Sequence, residues 1–72
     1  MDRHPFTDHV DAAAGADCLL ASTIYLMSRH AAEPCPRLAA LVDRHLAALA
    51  AHHGCGVLVR ETCRRLEGEW SG

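Results

Sequence analysis

Residues 52–56 read His-His-Gly-Cys-Gly. Imidazole nitrogen and thiolate sulfur are donors that suit Zn, Cu and Ni, so a turn of this composition can hold a transition metal. His52, His53 and Cys55 supply three donors, and His9 supplies a fourth if the start of the chain lies beside the turn. The spacing is less favourable. No histidine pair has the i,i+4 separation that puts two ligands on one helix face. Cysteines at 18, 35, 55 and 63 contain no C-x-x-C pair, which argues against a zinc ribbon or a thioredoxin-type motif. The competing reading is structural: Gly54 takes the left-handed conformation that ends a helix, and Cys55 packs back as a small hydrophobe. His52 and His53 then occupy the last helical turn, where a protonated ring is favoured. The structural reading accounts for every residue, so no cofactor is expected; a metal site with Zn or another transition metal is the alternative.

A second set has the side chains of a nucleophilic triad. Cys63 supplies a thiol, His45 a base and Asp17 a carboxylate to orient it. At about 1.5 Å of rise per residue, Asp17 and His45 come level when their helices run antiparallel. Both interrupt apolar stripes, so the plainer reading is a buried Asp17–His45 hydrogen bond, since a buried carboxylate needs a partner. Cys63 is then an inert core thiol. An Ala-rich core leaves little room for a substrate pocket, and no enzyme is expected. Cys35, between Pro34 and Pro36, is a candidate exposed thiol.

These side chains are placed by three helical segments separated by Pro34-Cys35-Pro36 and Gly54-Cys55-Gly56. Pro36 suits the first position of a helix and Pro34 stops the one before it. The periodicity predicts helix 1 over about 7–32, helix 2 over about 36–53 and helix 3 over about 57–69 of a single domain spanning 1–72. The fold class is all-α: a small three-helix bundle running up-down-up. Gly15 falls inside the first of these segments and weakens its opening turns. Helix 2 offers Leu38, Leu41, Val42, Leu46 and Leu49 to the core, with His45 amid that stripe. Helix 3 offers Leu58, Val59, Thr62, Cys63, Leu66 and Trp70, with an exposed Glu61–Arg65 pair at i,i+4.

Helix 1 carries two seams, each alternating steps of three and four. One is Val10, Ala13, Asp17, Leu20, Ile24, Met27 and Ala31; the other is Ala12, Ala16, Leu19, Thr23, Leu26 and His30. A helix in a monomeric bundle needs one apolar stripe. Helices 2 and 3 are expected to cover one seam, leaving the second as the interface of a homo-oligomer; the alternative is that both seams merge into one wide face under helices 2 and 3. A 72-residue chain buries only about 60% of its unfolded surface, and small scaffolds commonly gain stability by association.

Composition narrows the function. Half the residues are apolar, so the chain is not of the disordered class. The absence of Lys, Asn and Gln beside abundant Ala and Arg suits a GC-rich bacterial genome. A net charge of −2 lacks the basic footprint of nucleic-acid binding. No apolar run approaches the ~20 residues of a membrane span. The opening MDRHPFTDHVD has no signal-peptide core, which leads us to expect the cytoplasm and reduced cysteines. The function expected is interaction: a small helical accessory protein that associates with itself and with a protein partner. A metal-binding or metal-sensing module is the alternative.

Overall fold

The structure is a computed structural model that describes residues 15–71. It is all-α: α1 runs Ala16–Ala32, α2 Pro36–Ala50 and α3 Val57–Ser71. Gly15 is not inside α1. Its φ of −66° and ψ of 157° are extended, and its carbonyl accepts the first helical bond from Leu19 N–H at 3.1 Å. The predicted first nine residues of that helix, 7–15, thus end in a residue that stands outside it, and 7–14 lie outside the described residues. At the other end, Glu33 is extended and its N–H donates to Arg29 O at 2.9 Å. Asp17 in the first turn and Arg29 and His30 in the last complement the helix dipole.

The proline break acts as its residue types require. Cys35 is extended before Pro36, which opens α2 at a position where a missing N–H costs nothing. α2 ends at Ala50 rather than His53, with Ala51 N–H still bonded to Ala47 O at 3.2 Å. α3 runs two residues past its expected end, to Ser71.

α2 is the central helix. Both α1 and α3 pack on it, whereas no Cα of α1 comes within 8 Å of one in α3. Ala16 lies beside Gly54, and His30 meets Trp70, so α1 and α3 run parallel to each other and antiparallel to α2. The result is an up-down-up bundle splayed into a slab of 37 × 30 × 15 Å.

The core joins Leu19 and Leu26 of α1 to Leu41, Val42, Leu46, Leu49 and Ala50 of α2, with Cys63 from α3. Each fully buried Leu or Val contributes about 1.5–3 kcal/mol. The seam expected at an interface is therefore the one that faces inward. Leu19, Thr23 and Leu26 are buried within the chain, and Ala16 and His30 are half-buried; Ala12 lies outside the described residues. Thr23 is accommodated because its hydroxyl donates to Leu19 O at 2.7 Å, which satisfies the polar group locally. The other seam turns outward: Ile24 and Ala31 are exposed, and Leu20 and Met27 are half-covered.

Asp17 belongs to that outward seam and is exposed, so it does not form the buried pair with His45. At about 100° per residue it stands nearly opposite Leu19 and Leu26, and a carboxylate there keeps its hydration. The exposed ion pair also differs from expectation. Arg64 rather than Arg65 reaches Glu61, at 2.6 Å across i,i+3, and its other nitrogen comes within 3.5 Å of Ala50 O at the end of α2. That carbonyl has no helical donor of its own, and a cation beside it is favoured.

Candidate functional site

The backbones of α1 and α3 stay apart, and the space between the two helices is an open groove whose floor belongs to α2. Leu20, Ile24 and Met27 form one wall, Leu58, Thr62 and Leu66 the other, and Leu46 and Leu49 lie beneath. Counting its open mouth, the groove holds about 640 Å³. Its remaining lining side chains, Thr23, Val59 and Cys63, add no formal charge. Two of its lining side chains reach far into solvent: Ile24 is 59% exposed and Leu58 79%. At the C-terminal ends of α1 and α3, the His30 ring meets Trp70 edge-on, with centroids 5.0 Å apart and planes at 68°. His30 thus contacts its own chain rather than a free surface.

Leu58 and Thr62 were expected in the core with Cys63, yet both are exposed. Val57-Leu58-Val59 is three consecutive apolar residues, which on a helix sweep about 200°. One side cannot face α2, and that sweep is the sequence signal for an apolar surface on α3.

In the His/Cys turn Cys55 packs half-buried against the core, as the structural reading has it, but the turn closes differently. No glycine has a positive φ among the described residues, so Gly54 is not a left-handed helix terminator. Instead its N–H donates to His52 Nδ1 at 2.9 Å. A Cβ at Gly54 would sit 3.0 Å from His52 Cε1 and 3.1 Å from Nδ1. Glycine is needed here for close approach to the ring. Backbone bonds from His52 N–H to Leu49 O (3.1 Å) and from Cys55 N–H to His52 O (3.2 Å) complete the turn. One imidazole nitrogen of His52 is thereby engaged with backbone, and His53 is exposed. Among the described residues no group of three His, Cys, Asp or Glu side chains gathers to hold a metal ion. His9 lies outside them.

His45 is buried as its position predicts, at 1% exposure, but its partner is the backbone. Its Nδ1–H donates to Leu41 O at 2.8 Å, one turn back. That bond fixes the tautomer and ring orientation without a carboxylate. Cys63 is buried at the groove wall, and burial pushes its thiol pKa up, with Cys55 and Glu67 nearby adding to the rise. A thiol held protonated is a poor nucleophile. The proposed Cys–His–Asp set is therefore not assembled: its carboxylate faces water and its imidazole is tied to backbone. The four cysteines are unpaired, with Cys18 exposed and Cys35 and Cys55 half-buried.

No protein-family model matches the chain, and no curated protein and no solved structure matches it either.

Proposed function

We propose that the protein is a small interaction module whose working surface is the groove between α1 and α3. The observation that carries this reading is an uncharged, apolar groove whose lining exposes Ile24 and Leu58. Contiguous exposed apolar surface costs solubility, and proteins that retain it use it to bind. The chemistry on offer supports binding over catalysis. Cys63 is the one titratable side chain among the groove's described lining residues, and its thiol is held protonated. No described helix is long and apolar enough to cross a membrane; the apolar lining of the groove suits the apolar face of a protein. Unpaired cysteines suit action in a reducing compartment such as the cytoplasm.

The test separates binding from folding. A photo-crosslinking amino acid at Ile24 should give discrete adducts, whereas the same group at Ala47, on the outer face of α2, should give none. Adding Leu58→Ser should abolish the Ile24 adducts while changing thermal stability by no more than about 0.5 kcal/mol, as for an ordinary surface substitution. Equal, diffuse labelling from Ile24 and Ala47 would exclude the groove as a docking surface.

A further inference from the structure

We draw no further inference here: the strongest candidate, the open apolar groove between α1 and α3, belongs to the site already described, and nothing in the structure shows what covers it.

Discussion

The Gly54 N–H donates to His52 Nδ1 at 2.9 Å, and the imidazole lies so close to Gly54 that a Cβ there would meet the ring at 3.0 Å. The turn is thus closed by a side chain folded onto backbone, and the glycine serves proximity rather than a left-handed φ. Gly54→Ala should destabilise by about 1 kcal/mol, the worth of one hydrogen bond, because the ring must move off its donor. In a His52→Ala background the same substitution should be neutral or slightly stabilising, since the added methyl then only restricts the unfolded chain. Chemical denaturation of the four-member cycle measures this. Equal costs in both backgrounds would show that His52 does not set the requirement for glycine.

His45 and Asp17 should behave as independent sites. His45→Ala empties a buried position and removes the bond to Leu41 O, so it should cost about 2–5 kcal/mol, in the range of large-to-small core changes. Asp17→Ala should cost only about 0.3–1 kcal/mol, the worth of an exposed carboxylate in a helix's first turn. The double variant should equal the sum within about 0.5 kcal/mol. A coupling well above that would mean the two side chains meet.

The two seams of α1 can be told apart by one charge placed on each. Leu26→Glu puts a carboxylate at a buried position that packs on α2 and should cost more than about 4 kcal/mol, enough to abolish helical circular dichroism in a domain this small. Ile24→Glu, two residues earlier on the outward seam, should keep the helical signal. If Leu26→Glu stays helical and only dissociates, the inward assignment of that seam is wrong.

Cys63 gives the fold a dependence on alkaline pH. Its folded pKa is raised, chiefly by burial. The native state therefore holds the thiol proton in a range where the unfolded chain has released it. The thiol's contribution is fully present below the unfolded value of about 8.5 and is lost as pH rises from there through the folded pKa. The urea midpoint of the wild type should fall from pH 8 to pH 10 more steeply than that of Cys63→Ala, although the variant starts lower because it lacks a packed side chain. Parallel slopes would rule out Cys63 as the source.

Much of the frame was legible without coordinates. Pro34 and Pro36 act locally, through a fixed φ and a missing donor, so the boundary between α1 and α2 needs no tertiary information. The stripe Leu41, Val42, Leu46 and Leu49 dictates a buried face on α2 and carries His45 with it. The polar sequence around Gly54 marks a turn, though not how it closes: the bond from Gly54 N–H to the His52 ring depends on a side-chain rotamer, which spacing does not encode.

The tertiary structure decided which seam of α1 is the core. Both seams repeat at helical spacing, and each has a polar interruption, Thr23 on the inward one and Asp17 on the other. The Thr23 hydroxyl is satisfied by Leu19 O, so it can be buried at little cost, whereas Asp17 on the other seam has no such local partner and must face water. The placement of α3 was equally non-local. Packed on α2 and held away from α1, it leaves Leu20, Ile24 and Met27 facing Leu58 and Leu66 across an open groove. Periodicity reports that a helix has an apolar face; only the positions of its neighbours determine whether that face is covered by the same chain or left open to another.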